Sequence, residues 1–531
     1  MKCIQYIILA GSLLAFQACT RDFEELNKNK AGYNELDAQY QFAKVQADMS
    51  GDREDTWRYD LGIASPMIQH LGGSWWTQHG GMYQVVEKSH WFSHWETTYP
   101  RELKNLQDII DKTADDPAQV NMHAAARILR ILVYSKLTDM YGDIPYSQAA
   151  KGFTDKIYLP KYDTQEEIYK DFFKELDEAV NELNASSPAI AGDVFYDGNV
   201  AKWKKLGNSL RLRLGFRLTK RDLAEAKKQV EAAISKGVMT DLADIAMTRH
   251  MDISYAAGEN RGNGRSQVFK AEPRSSGFRL VRTLVDTMSM TSDPRLYIFG
   301  GTYVGDAFIG SSGVVDISGY MPPLGTVPGA MAWNLWGDYG NANGPNGPIY
   351  VTQNDKFLQP SKYVSALNAP FFHLTTAEVE FLLAEAALRN WGGVTGAETH
   401  FKRGLQLACE AAALYPGAPA VPQADIDDFK AHYTPFPTNF DQAMKAIHTQ
   451  MWVNFFLNGT EAYANWRRTG YPLLNKFTSV EWYSAGAPDF PRRFFYPESE
   501  VIQNPKNYQD AINRLGGAND WMKPVWWDKQ P

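Results

Sequence analysis

Residues 376–393 read TAEVEFLLAEAALRNWGG. Thr376 is a helix-opening residue, and Leu383 and Ala387 follow four apart on one face. The run reaches Trp391, where Gly392-Gly393 breaks it, because glycine is the costliest residue after proline inside a helix. A second helical pattern starts at about 396 and carries Phe401, Leu405 and Ala408 on one stripe. The stretch therefore predicts two alanine-rich helices folded back on each other. The same signals recur outward from it. Thr164-x-x-Glu167 is a capping box, followed by Ile168, Phe172, Leu176, Ala179, Val180 and Leu183 at helical spacing. A helix over about 123–140 turns Ile128, Leu129, Leu132 and Val133 to a core and stops at Gly142 and Pro145. Trp203, Leu206, Leu210 and Leu214 mark another. Leu223, Ala226, Val230, Ala233 and Ile234 mark one ended by Gly237, and a further helix covers about 438–457.

These hairpins have the length of tetratricopeptide units, but their spacing is irregular, so the pattern is a divergent solenoid and not a strict repeat. Residues 250–360 differ. They hold glycine, proline, asparagine and aromatics with no sustained period, including twelve glycines between Gly300 and Gly347. A long irregular stretch rich in aromatics predicts ordered loops with a few short strands, of the kind that carry function.

The amino terminus has a separate purpose. Lys2 precedes an apolar run with Ile4, Ile7, Ile8, Leu9, Leu13, Leu14 and Phe16, and Ala18-Cys19 follows. This reads as a secretory signal over residues 1–18, too short to cross a bilayer of about 30 Å. Cys19 resembles the lipidated first residue of a mature bacterial lipoprotein, which implies several acyl chains and a stable anchor. Thr20-Arg21-Asp22-Phe23-Glu24-Glu25 resembles the signal that sends Bacteroidetes lipoproteins to the outer cell surface. Residues 19–35 read as a lipidated polar tether, and 36–531 as one domain.

Composition narrows the function. The chain has 531 residues, a net charge of −7 and no basic stretch, which argues against nucleic acid as a partner. Of its three cysteines, Cys3 leaves with the signal and Cys19 takes lipid. Cys409 is left alone in a helical pattern as a small core residue, and no disulfide is expected within the mature chain. Aromatics make up 13%, a large stock of flat rings that can fill a core or stack on a sugar.

Several collinear segments resemble the SusD/RagB family of Bacteroidetes outer-membrane lipoproteins. They include Phe23–Asn27, Leu137–Tyr146 (LTDMYGDIPY), Lys202–Arg213 (KWKKLGNSLRLR) and Asp293-Pro294-Arg295. They continue with Glu378–Ala386, Gln450-Met451-Trp452, Trp466–Pro472 (WRRTGYP) and Arg492–Pro497 (RRFFYP). The resemblance covers nearly the whole mature chain. It implies a mostly α fold, with four tetratricopeptide-like helix pairs under a loop-rich, small-β ligand-binding face. It implies nutrient capture at the cell surface, usually of glycans and in some relatives of peptides. It also implies a partner, a SusC-like TonB-dependent transporter on which the lipoprotein sits as a lid.

The charged residues of these segments, Asp139, Asp143, Arg467 and Arg468, read as structural, because they stand at helix ends. No His-Glu-x-x-His, Gly-x-Ser-x-Gly or P-loop occurs, and Gly262-Asn263-Gly264 lacks the third glycine of a dinucleotide loop. No cofactor is implied, and the expectation is a binding protein without catalysis, a glycan hydrolase being the third reading. His90 and His94, four apart, admit a metal pair, but the flanking Trp91 and Trp95 favour a packed helix face. The expected ligand platform is aromatic and loop-borne. Trp75, Trp76 and Tyr83 form one cluster. Tyr320, Trp333, Trp336 and Tyr339, with Asn341 as a hydrogen-bonding neighbour, form the other. Trp95, Tyr99 and Trp203 follow helical periodicity and are assigned to the core.

Overall fold

A computed structural model describes residues 36–72, 76–254, 260–271, 278–301, 339–344, 347–352, 358–477, 479–480 and 483–530. The helices expected from periodicity are all present. In chain order the main ones are α1 (Ala38–Asp48), α2 (Ser89–Thr98), α3 (Lys104–Thr113), α4 (Val120–Tyr141), α5 (Gln165–Glu182) and α6 (Val200–Arg217). They continue with α7 (Leu223–Lys236), α8 (Thr376–Leu388), α9 (Ala397–Ala412), α10 (Phe440–Asn454) and α11 (Gly459–Thr469).

Local chemistry sets their ends. Thr164 accepts the Glu167 amide at 3.2 Å while the Glu167 carboxylate accepts the Thr164 amide at 2.9 Å, which closes the capping box of α5. Gly142 ends α4 at φ +82°, a left-handed conformation that costs glycine least, and its amide returns to the Thr138 carbonyl at 2.8 Å.

Consecutive helices pack as pairs: α4 on α5, α6 on α7, α8 on α9 and α10 on α11. Their inward stripes form one continuous apolar core reaching from Phe42 to Trp527. Leu176, Trp203 and Cys409 lie within it, and so does Trp95. Tyr99 is half-buried against it.

Buried ion pairs cross-brace the pairs. Arg213 on α6 holds Glu378 on α8 through two bonds of 2.6 Å. Arg468 on α11 holds Glu385 on α8 at 3.0 and 2.9 Å, and His448 on α10 meets the same carboxylate at 3.0 Å. Arg217 pairs with Asp139 at 3.1 Å, and the Trp527 indole donates to Asp139 at 2.7 Å. Arg467 donates to the Asp139 carbonyl at 2.6 Å. The charged residues picked out in the sequence are thus spent on joining helices. Each such pair is costly to break from one side, because the partner left behind is a buried charge.

The segment around 250–360 is bracketed by a two-stranded antiparallel sheet, β1 (Ala246–Thr248) with the strand at Phe371–Leu374. Within it, Tyr339–Gly344 and Gly347–Thr352 form an antiparallel hairpin. One departure from the sequence reading is clear. Gly264–Ala271 and Arg282–Met290 are helices where loops were expected. Arg282–Met290 is short, and it buries only Leu284, Val285 and Met288, too few positions to display a period.

Candidate functional site

Short strands gather the loop ends into one patch. Leu71–Gly72 pairs antiparallel with Arg279–Leu280, and Gly300–Gly301 pairs with Gln359–Pro360. The Leu280 amide donates to the Leu358 carbonyl at 2.8 Å, and the Val281 amide to the His70 carbonyl at 3.1 Å. The chain that leaves at Gly72 and the chain that leaves at Gly301 and returns at Leu358 therefore start from neighbouring strands. Both aromatic clusters of the sequence depart from this patch.

Beyond Gly72 the chain re-enters at Trp76. Trp76 has φ +64°, a left-handed conformation uncommon outside glycine, and such outliers gather at functional sites. Its carbonyl accepts the His79 amide at 3.0 Å, which starts the single helical turn Gln78–Gly81. That turn lies on a wide, π-type helical segment, Thr56–Ala64. Gly80 is required there, since a Cβ would collide with the Ile63 carbonyl oxygen. At Gly62 a Cβ would stand a tight 3.1 Å from the Trp57 carbonyl oxygen and at ordinary contact distance, 3.8 Å, from the Trp76 Cβ.

The Trp76 ring is half-buried in an aromatic nest. It stacks on His79 with centroids 5.8 Å apart and planes 9° from parallel. Its edge meets Trp57 at 5.9 Å, and it lies 4.7 Å from the His90 ring. Burial pushes the His79 and His90 imidazoles down to about 4, so both are neutral at ordinary pH. The His79 Nδ1 sits 3.0 Å from the Gln84 carbonyl, its nearest partner, which assigns the proton there. His79 Nε2 and His90 Nδ1 have no hydrogen-bond partner among the described residues. Those two nitrogens are buried, so what the nest can offer a flat, hydroxylated ligand is the half-buried Trp76 ring with Trp57 beside it.

Tyr83 belongs elsewhere. It is 1% exposed, its hydroxyl accepts the Phe477 amide at 3.3 Å, and its ring packs on Phe490 at 5.0 Å. Gly486 lies so close that a Cβ would meet the Tyr83 carbonyl. Tyr83 therefore cannot offer a ring to a ligand; it pins the end of the loop. The hydrophobic contacts responsible come from residues about four hundred positions away, which local sequence does not show.

Trp75, Tyr320, Trp333 and Trp336 lie outside the described residues. Tyr339 and Asn341 fall on the strand Tyr339–Gly344, paired with Thr352 and Tyr350. His90 and His94 do not converge. His94 lies in the core with Nδ1 3.1 Å from an Asp55 oxygen, whereas His90 faces Trp57 and Trp76. The favoured reading, a packed helix face, describes both. Trp57, His79 and His90 were missed as neighbours of Trp76; the glycines at 62 and 80 were the available signal of a close approach.

Comparison with known proteins places the chain. A SusD-like family model, described as starch-binding and associating with the outer membrane, matches residues 38–497. A solved structure named as a chitin-binding protein is 34% identical, with 93% of this chain and all of that one covered and a TM-score of 0.79. A Bacteroidetes SusD-like structure is 29% identical over the same shares, with a TM-score of 0.80. A chitin-binding SusD homologue from Flavobacterium johnsoniae is 20% identical, covering 93% of this chain and 99% of that one, with a TM-score of 0.72, and shares the fold. No curated protein matches the chain.

Proposed function

Since the chain belongs to the SusD-like family, starch-binding proteins that associate with the outer membrane, we propose that it captures an oligosaccharide at the cell surface and delivers it to a SusC-like TonB-dependent transporter. Cys19 carries the lipid anchor, and the protein binds without catalysing. The observation that carries this reading is the shared strand patch. It sets the chain at Gly72, four residues before the half-buried Trp76, beside the chain at Gly301 and at Leu358. Aromatic side chains from both segments, Trp75 and Trp76 with Tyr320, Trp333, Trp336 and Tyr339, form the platform, and Asn341 supplies hydrogen bonds. Rings stack on the apolar faces of sugars while amides bond their hydroxyls.

The 34% identical relative named as chitin-binding supports a glycan over a peptide and makes chito-oligosaccharides the first ligands to test. Calorimetry of the protein without its signal and tether, against chito-, malto- and other oligosaccharides and against peptides of equal length, tests the reading. Saturable binding of one glycan class, weakened in Trp76→Ala, is expected. Binding of peptides alone would overturn it. Co-purification of a large TonB-dependent barrel from outer membranes tests the partner, and recovery of the lipoprotein alone in gentle detergent would count against it.

A further inference from the structure

Residues 151–161 read KGFTDKIYLPK and form a loop without helix or strand. Open clefts flank it on both sides. One is lined by Ser147, Lys151 and Lys161 and the other by Ala149, Tyr158 and Pro160, so the loop stands between them as a ridge. Its shape is fixed from within. The Asp155 and Ile157 amides both donate to the Lys151 carbonyl, at 3.0 and 3.4 Å. Gly152 lies against the Tyr158 ring, where a Cβ would stand 3.5 Å from the nearest ring carbon. At the base the Lys161 amide donates to the Gln148 side chain at 3.0 Å. Asn504 and Asn507 donate to the Pro160 and Leu159 carbonyls at 2.8 and 3.0 Å.

This fixed ridge presents apolar side chains to water. Phe153 is 87% exposed, Tyr158 72% and Leu159 57%, with Ile157 half-buried beside them. Singly such residues are ordinary, but here they crowd one short loop whose own bonds keep it from folding them inward. Lysines accompany them. Lys151, Lys156 and Lys161 stand against Asp155 alone, in a chain whose net charge is −7. The Lys156 ammonium donates to the Phe153 carbonyl at 2.8 Å and lies 5.2 Å from the Phe153 ring centroid. Rings and aliphatic chains interleaved with lysines suit the boundary of a bilayer. The apolar groups enter to the depth of the headgroups, and the ammonium heads stay among the phosphates.

The position of the tether selects this occupant. α3, ten residues and about 15 Å long, borders both the root of the loop and the point where the tether joins the body. Lys112 on α3 donates to the Leu36 carbonyl at 3.2 Å, and Gln107 on α3 lines the same cleft as Lys151. From Cys19 to Leu36 the chain can reach at most about 60 Å, whatever path it takes. A lipid on Cys19 thus holds the body by the side that carries the ridge. We infer that the ridge is a second membrane contact, which seats Phe153, Tyr158 and Leu159 in the lipid surface that anchors Cys19 and so sets how the body stands over it. The inference rests on the reading of Cys19 as lipidated and is independent of the aromatic ligand platform.

The full-length lipoprotein in vesicles of phosphatidylethanolamine and phosphatidylglycerol tests it. Thr154→Cys carries a nitrobenzoxadiazole probe on the exposed tip, and Met290→Cys carries it at a helix end that is 74% exposed. Cys409 is buried, so the introduced thiol is the one labelled. Flotation of the vesicles reads the anchor, and quenching by spin-labelled lipids reads the loop. A label at the top of the acyl chain should remove at least about half of the signal at 154, and one at the chain end less, because an interfacial segment lies about 5–10 Å deep. The signal at 290 should not change. Phe153→Ser/Leu159→Ser alters two exposed side chains and should lower occupancy of the inserted state about 100-fold, which brings 154 to the level of 290. Protein that floats while 154 is quenched no more than 290 would overturn the proposal and leave the anchor standing. So would quenching indifferent to the Phe153 and Leu159 changes. A probe at 154 shielded from aqueous iodide yet untouched by the lipid labels would mean that a protein, a second copy of this chain included, covers the ridge, and would overturn it too. Protein that fails to float would overturn the anchor and the inference with it.

Discussion

The backbone amide of Leu280 donates to the carbonyl of Leu358 across 2.8 Å, and this bond joins the strand pair that ends at Gly72 to the pair formed by Gly300–Gly301 and Gln359–Pro360. Leu280 lies opposite Leu71, one residue before the chain leaves at Gly72. Leu358 immediately precedes the strand that lies opposite Gly300–Gly301. Sequence distances of more than two hundred residues are thereby reduced to neighbouring strands. The proposed platform depends on that convergence more than on any one ring.

Trp76 and Tyr83 should separate binding from stability. Stacking one ring contributes about 0.5–1.5 kcal/mol beyond area burial, so Trp76→Ala should weaken glycan binding about two- to tenfold. Tyr83→Ala removes a fully buried ring and should cost about 3–5 kcal/mol of stability. Calorimetry and denaturant melts on both variants make the comparison. A Tyr83→Ala protein as stable as wild type would show that its burial has been misread.

Gly80→Ala should act at a distance on the same site. The added methyl meets the Ile63 carbonyl, so the Gln78–Gly81 turn and Trp76 must shift. Overpacking of this kind costs about 1–3 kcal/mol. Affinity should fall along with the melting temperature, whereas Gly393→Ala, with open space around its Cβ, should leave affinity unchanged.

The α8–α11 brace should be indispensable. Arg468→Met leaves the buried Glu385 with Arg389 at 2.8 Å and His448 at 3.0 Å but without its two-pronged partner, and should cost about 3 kcal/mol, the low end for breaking a buried pair. The paired change Arg468→Met/Glu385→Leu should recover part of that loss, since it removes both buried charges. Chemical denaturation of the single and double variants checks this, and a double variant no better than the single would argue against the pair.

Mild acid should destabilise the fold. Burial pushes His70 down to about 3 and His79 and His250 down to about 4, against 6.5 for an exposed imidazole. Below pH 6.5 the unfolded chain takes protons that the folded chain refuses, so stability falls as pH drops from about 6.5 toward 4. Glu385, held well below its usual range by Arg468 against the desolvation that would raise it, extends the loss below about pH 4.5. Melting temperatures from pH 7.5 to 4 should decline steadily; a flat profile between pH 7 and 5 would contradict the buried neutral imidazoles.

The two mature cysteines should behave oppositely. Burial pushes the Cys409 thiol up to about 12, so a thiol reagent should leave it unmodified until the protein unfolds, and reductant should leave the melting temperature unchanged. Cys19→Ala should block lipid labelling and leave the precursor uncleaved. Lipid label retained in that variant would exclude Cys19 as the anchor.

Helical signals were legible because they are local. The Thr164–Glu167 cap, the stripe through Leu176 and the glycine stops at 142 and 237 lie within a turn or two of what they control. The collinear family segments were likewise readable from order alone. Short helices such as Arg282–Met290 were not, because three buried positions do not make a period. The partners of the charged residues in those segments were also hidden: Arg213 and Glu378 are separated by 165 residues, and Arg468 and Glu385 by 83.

By itself, then, the sequence determined the helical scaffold and the family, and it raised the expectation of an export signal and of an aromatic ligand platform. Only the tertiary structure decided which rings face outward. Trp76 and Tyr83 stand seven residues apart in the same glycine-rich stretch, with nothing local to separate them. Phe477, Gly486 and Phe490 close over Tyr83, while Trp76 rests half-open on His79 and Trp57. Burial depends on what packs from the far end of the chain, and that is a property of chain closure and not of neighbouring residues.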